Sequence, residues 1–172
     1  MQQSKPLTTL YLCEVEPMLG AADVGTFEGF FAARYDGALR LAYGLTGDRG
    51  LAEEVVQEAF VALAARFSGV REPGAYLRVC IVNGVRAAAR RRIREGAVIA
   101  RSEEVWTPPH LVEFVSVLRR LPARQRAALV LRFYEELDDR QIAELLRCRR
   151  STVRSLIHRG LTTLREELSN DL

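Results

Sequence analysis

The chain has 172 residues, 27% charged and 48% hydrophobic, with a formal net charge of +3, enough for one ordinary domain or two small helical ones. Cys13, Cys80 and Cys148 stand far apart without CxxC or Cys/His ligand spacing, which argues against a disulfide framework or a zinc site and for small buried hydrophobes in a reducing cytoplasm. No apolar run approaches the roughly 18 residues of a membrane span, and Glu14 and Glu16 interrupt the apolar N-terminal stretch, so neither membrane insertion nor a signal peptide is expected.

The charge is unevenly placed: −2 over residues 1–25, +4 over 26–94, −2 over 95–110 and +3 over 111–172. Two basic blocks therefore flank an acidic spacer. Of the 25 basic residues only Lys5 is lysine, and arginine suits bidentate contacts with phosphates and base edges. A GC-rich genome gives the same bias.

Residues 1–25 carry scattered apolar side chains (Leu7, Leu10, Tyr11, Leu12, Val15) without a period, and are expected to form a flexible extension. Thr26 is a candidate N-cap for a helix whose stripe is Phe27, Phe30, Phe31, Tyr35, Leu39, Ala42 and Tyr43, ended by Gly44 to Gly47. Asp48 caps a second helix through Leu51, Val55, Ala59, Leu63 and Phe67. After a loop from Phe67 to Glu72, Pro73 fits the first turn of a third helix reaching about Arg94. That helix ends in Arg86, Arg90, Arg91, Arg92 and Arg94. Five arginines in nine residues exceed what a solvated helix end requires and point to phosphate binding.

Residues 95–110 lack a period, contain Glu103-Glu104 and close on Pro108-Pro109, as an irregular linker does. The predicted fold is all-α: two small helical domains, 26–94 and 111–172, joined by that linker. In the second, Leu111, Val115, Leu118 and Leu121 form one helix, and Ala127, Leu129, Val130, Leu131 and Phe133 lie on the next. Asp138 with Gln141 makes a capping box opening a short helix that buries Ile142, Leu145 and Leu146. The last helix sets Val153, Leu156, Ile157, Gly160, Leu161 and Leu164 against its domain. Arg149, Arg150, Ser151, Arg154, Ser155, His158 and Arg159 are left on the other side, as on a helix that offers its N-terminal half to a DNA groove.

LPARQRAALVLRFYEELDDRQIAELLRCRRSTVRSLIHRGLTTLR (residues 121–165) resembles region 4 of bacterial sigma-70 family sigma factors, especially the extracytoplasmic-function group. It departs where Arg147 replaces a usual Gly and Arg149 a capping Ser, and Leu156 stands where an Arg is common. The stretch AYGLTGDRGLAEEVVQEAF resembles sigma regions 2.1 to 2.2, and FSGVREPGAYLRVCIVNGVRAAARRR resembles regions 2.3 and 2.4. The wording is closest to an actinobacterial branch. The resemblance implies that Glu54, Gln57 and Glu58, at i, i+3 and i+4, meet the core polymerase. It implies that Ser68, Arg71, Tyr76, Arg78, Asn83, Arg86 and Arg90 hold the opened minus-ten strand, with bases stacked on the ring and arginines on phosphates. Arg149, Arg150, Ser151, Arg154, Ser155, His158 and Arg159 would read the minus-thirty-five element. Region 3 has no counterpart, and the linker, standing in its place, would thread towards the polymerase active centre.

The expected function is therefore that of a cytoplasmic sigma factor that binds core RNA polymerase (beta and beta-prime subunits) and promoter DNA. An anti-sigma factor is compatible with this, and neither cofactor nor metal is expected. With only His110 and His158 and no clustered carboxylates, no active site and no enzyme activity are expected. Two rivals stay open from the residues alone. A helix-turn-helix regulator that does not join the polymerase accounts for the second half, and an all-helical protein-binding module would need the basic faces to serve only solubility.

Overall fold

A computed structural model of the chain describes residues 25–95 and 116–170, and all regular structure among these is helical. Helix α1, Phe27–Thr46, begins at Thr26, whose Oγ1 accepts from the Gly29 amide at 3.2 Å. It ends at Gly47, left-handed at φ 67° with its N–H donating to the Tyr43 carbonyl at 2.7 Å. A Cβ at Gly47 would also lie 2.6 Å from Arg119 Cγ, so both backbone and neighbour demand glycine. Asp48 Oδ1 accepts from the Leu51 amide at 3.0 Å and starts α2, Arg49–Ala64. A single 3-10 turn, Phe67–Gly69, sits in the expected loop before α3, Pro73–Glu95.

These three helices close on Leu41, Val56, Leu63, Leu77 and Ile81, all inaccessible to solvent. Phe27, Phe30, Phe60 and Phe67 meet in tilted and edge-on pairs 5.6–6.4 Å apart at the open end of the hairpin. Burying each such side chain contributes at most about 1.5–3 kcal/mol, which explains why period alone located the helices.

In the second half residues 116–120 are helical, followed by α4, Ala123–Phe133, α5, Asp139–Leu146, and α6, Arg150–Asn170. The capping box forms as read: Asp138 Oδ1 accepts from the Gln141 amide at 2.8 Å, and Gln141 Oε1 from the Asp138 amide at 2.9 Å. Ile142, Leu146 and Val153 are buried, with Leu145 half-buried beside them. Helices α4 and α6 cross so closely that a Cβ at Gly160 would lie 2.8 Å from Leu129 Cδ1.

The two halves are packed against each other, and one continuous apolar cluster runs through both. Val130 of α4 lies against Gly44 of α1, where a Cβ would meet both Val130 methyls at 3.4 Å. Arg126 donates to the carbonyls of Leu45 and Thr46, at 3.0 and 3.3 Å, at the C-terminal end of α1. That satisfies carbonyls the helix cannot bond itself and places a cation at the negative end of its dipole. Burial, with Arg119 nearby, lowers the Arg126 pKa. The expected extension up to residue 24, the linker from 96, and the positions of Cys13, Leu111 and Val115 lie outside the described residues.

Candidate nucleic-acid interface

Helix α6 turns Val153 and Gly160 fully inward and Leu156, Ile157, Leu161 and Leu164 partly so. Arg149, Arg150, Ser151, Arg154, Ser155, His158 and Arg159 are all exposed. The structure thus brings these seven side chains to one open, largely basic side of the helix-turn-helix. Arg154 Nε donates to Asp139 Oδ2 at 2.8 Å, and Arg132 bonds the other oxygen of that carboxylate. The Arg154 side chain is 72% exposed, so the pair is worth little and readily yields to a base edge. Ser155 Oγ donates to the Ser151 carbonyl at 3.1 Å, a local bond that a DNA acceptor can replace.

The turn before α6 is unusual. Arg147 closes α5 in the left-handed region at φ 49°, ψ 56°, with its amide bonded to the Glu144 carbonyl at 3.3 Å and Cys148 N to Ala143 O at 2.9 Å. The glycine-type conformation is kept without the glycine, at a cost of about 1 kcal/mol. Arg149 has no side-chain acceptor to cap α6, yet its carbonyl takes the first helical bond, from Val153 N at 3.1 Å.

On α3 the candidate residues divide. Tyr76, Asn83 and Arg90 recur every seven residues and so share one side; Asn83 and Arg90 are exposed and Tyr76 is half-buried. Ser68 and Arg71, in the segment leading into the helix, are exposed too. Arg78 and Arg86 instead turn to the second half. Arg78 Nε donates to Glu135 Oε2 at 2.5 Å, and Arg86 Nη1 to the Leu145 carbonyl at 3.1 Å. The Arg86 pKa is lowered, by burial first and then by Arg147, Arg90 and Arg124 nearby. Glu135 is 6% exposed; burial pushes its carboxyl pKa up, while Arg78 and Arg34 pull it down.

Glu54, Gln57 and Glu58 are exposed together on α2. Glu54 pairs with Arg91 of α3 at 2.9 Å, tying this acidic face to the basic helix. Sequence reading passed over Val61, 71% exposed one turn beyond Glu58 on the same face; an apolar residue continuing a polar stripe was its signal. It also missed Glu135, Tyr134 and Arg126, for which no local pattern exists, because their partners lie in the other half of the chain.

Cys80 and Cys148 are half-buried thiols rather than fully buried ones. Burial raises the Cys80 pKa, against a hydrogen bond with Tyr76 and the charge of Arg66, so it is no activated nucleophile. Among the described residues no group of His, Cys, Asp or Glu is placed to hold a metal ion, and no helix is long and apolar enough to cross a membrane.

Comparison with known proteins covers both halves. The family "Sigma-70 region 2" matches residues 30–95 and "Sigma-70, region 4" matches residues 111–164. The chain is 32% identical over 160 residues to an RNA polymerase sigma-E factor of Streptomyces avermitilis, covering 87% of this chain and 89% of the relative. An ECF RNA polymerase sigma factor, SigE of Mycolicibacterium smegmatis, is 31% identical over 152 residues, which is 78% of this chain and 58% of that one. Among solved structures, the sigma factor RpoE bound to the anti-sigma factor NepR from Bartonella quintana superposes with a TM-score of 0.68 at 23% identity, covering 85% of this chain and 98% of that one. CnrH bound to the cytosolic domain of CnrY gives 0.60 at 19%, covering 96% and 99%. These two likenesses establish the fold.

Proposed function

Since the chain belongs to the sigma-70 family of RNA polymerase sigma factors, in its extracytoplasmic-function group, we propose a division of labour among the faces described above. As a sigma factor it binds core RNA polymerase and directs promoter-specific transcription initiation. Glu54, Gln57 and Glu58, extended by Val61, dock on the core enzyme. Tyr76, Asn83 and Arg90, with Ser68 and Arg71 leading into the helix and Arg78 and Arg86 once freed, hold the opened minus-ten strand. The exposed face of α6 reads the minus-thirty-five element. The protein performs no covalent chemistry and works in the cytoplasm beside the polymerase.

The observation that carries this reading is the pair of basic helices, α3 and α6, each rooted in its own apolar core and matched to successive sigma regions. A stand-alone helix-turn-helix regulator leaves the α2 acidic face and α3 without a task. An inhibitory partner like those bound to the two solved relatives fits the same surfaces.

Run-off transcription with bacterial core polymerase on fragments of its own genome tests the reading; absence of any complex with core enzyme defeats it. Within it, Glu58→Arg is expected to weaken co-elution with core polymerase at least tenfold while α6 still binds its DNA. Undiminished co-elution would take Glu58 out of the contact.

A further inference from the structure

A promoter reader must place its two DNA-binding helices far apart. The minus-ten and minus-thirty-five elements are by name about 25 base pairs apart, roughly 85 Å at about 3.4 Å per pair. A compact body of 172 residues has a radius of gyration of about 16 Å, hence a width of roughly 40 Å. The arrangement described above joins the two halves directly and cannot span both elements.

Resting on the sigma reading, we propose that this packed arrangement is a self-inhibited resting state, in which the second half withholds from DNA two arginines of the strand-holding helix. Glu135 occupies Arg78, and the Leu145 carbonyl occupies Arg86. The carboxylate stands where a strand phosphate would bond the guanidinium. α6 keeps its reading face exposed, so the closed chain is impaired at the minus-ten side and intact at the other.

Three features suit a latch better than a permanent seam. First, the cations that face Glu135, Arg78 and Arg34, both come from the first half, so the acid is held by contacts that exist only when the halves meet. Its inward setting is imposed by the backbone: Glu136 follows at φ 52°, and Leu137 N bonds back to the Leu131 carbonyl at 3.1 Å. Second, a buried ion pair gains little over apolar packing because each ion loses its water. When the halves part, Glu135, Arg78 and Arg126 are rehydrated, which lowers the cost of opening relative to an apolar seam of equal area. Third, the 20 residues 96–115 that join the halves can reach up to about 70 Å when extended. Opening therefore requires no helix to unfold.

The test locks the latch. In the full chain with Cys13, Cys80 and Cys148 changed to Ser, Gly44→Cys with Val130→Cys places two thiols across the interface within disulfide reach. The probe is a fluorescein-labelled random-sequence single-stranded 20-mer, read by anisotropy across a salt series. The oxidised chain is expected to bind several-fold more weakly than the reduced one. Its plot of log affinity against log salt should be shallower by about 0.7 for each withheld arginine, with both effects reversed by dithiothreitol. Equal affinity and slope in the fully cross-linked and reduced chains overturn the proposal.

Glu135→Arg supplies the opposite perturbation by setting a third arginine against Arg34 and Arg78. Its X-ray scattering radius should exceed that of the wild type at unchanged helical content, and an unchanged radius counts against the latch. Co-elution of the reduced cysteine chain with core polymerase is scored separately. Its failure speaks against the sigma reading, whereas the DNA and scattering results decide the closure.

Discussion

Helices α3 and α6 are of similar length, 23 and 21 residues, and both are rich in arginine, yet they carry their charge differently. On α6 the inner stripe is apolar and the outer side is wholly exposed, so every basic group there stays free for a partner. On α3 arginines point several ways: Arg90 to solvent, Arg91 to Glu54 of α2, Arg92 to Asp48, and Arg78 and Arg86 into the second half. A basic helix with one inner neighbour can sort its residues by period alone. One wedged between two neighbours distributes its cations among them, and what each does depends on which neighbour is present.

Tyr134 offers the largest perturbation of this contrast. Its ring is buried where the halves meet, with the hydroxyl 3.5 Å from the Gly37 carbonyl. Burial chiefly pushes its pKa from 10 up to about 12. A raised pKa means that the neutral form's contribution is complete below pH 10 and is lost as pH climbs through 12, a change of about 2–3 kcal/mol. One of the five tyrosines should titrate last at 295 nm, and the scattering radius should grow with it. Ionisation of that residue without expansion would show that the second half does not rely on this contact to cover α3.

Next in size, Arg154→Ala should cost roughly 1–3 kcal/mol on the cognate minus-thirty-five sequence and much less on scrambled DNA. A uniform loss in a mobility-shift assay would mean that α6 uses Arg154 only on phosphate. Arg147→Gly should raise unfolding stability by about 1 kcal/mol by relieving the left-handed turn. A lower melting temperature would instead mean that the arginine makes a contact worth more than the strain. The smallest effect compares two arginines of α3. For the free chain, Arg90→Ala should flatten the salt dependence of single-strand binding by about 0.7, whereas Arg78→Ala, already engaged by Glu135, should leave it nearly unaltered. Equal responses would erase the distinction between the two sides of α3.

Much of the candidate site was legible because it is local. Thr26, Asp48 and the Asp138–Gln141 box lie within three residues of the amides they bond, and the α6 face follows from its own period. The exposed set Glu54, Gln57 and Glu58 likewise falls on one side through spacing. The engagement of Arg78, 57 residues from Glu135, and of Arg86, 59 residues from Leu145, has no signature in either stretch. Arginine 126 reads as an ordinary helix charge until the end of α1, about 80 residues earlier, is set beside it.

By itself the sequence determined an all-helical chain with two basic reading helices and the family they belong to. Caps and apolar stripes act over one or two turns, and such short-range energetics are written in neighbouring residues. Only the tertiary structure decided that the halves close on each other and that α3 is divided between solvent and a buried carboxylate. That outcome depends on whether Val130 finds Gly44 and Glu135 finds Arg78, contacts between segments far apart in the chain.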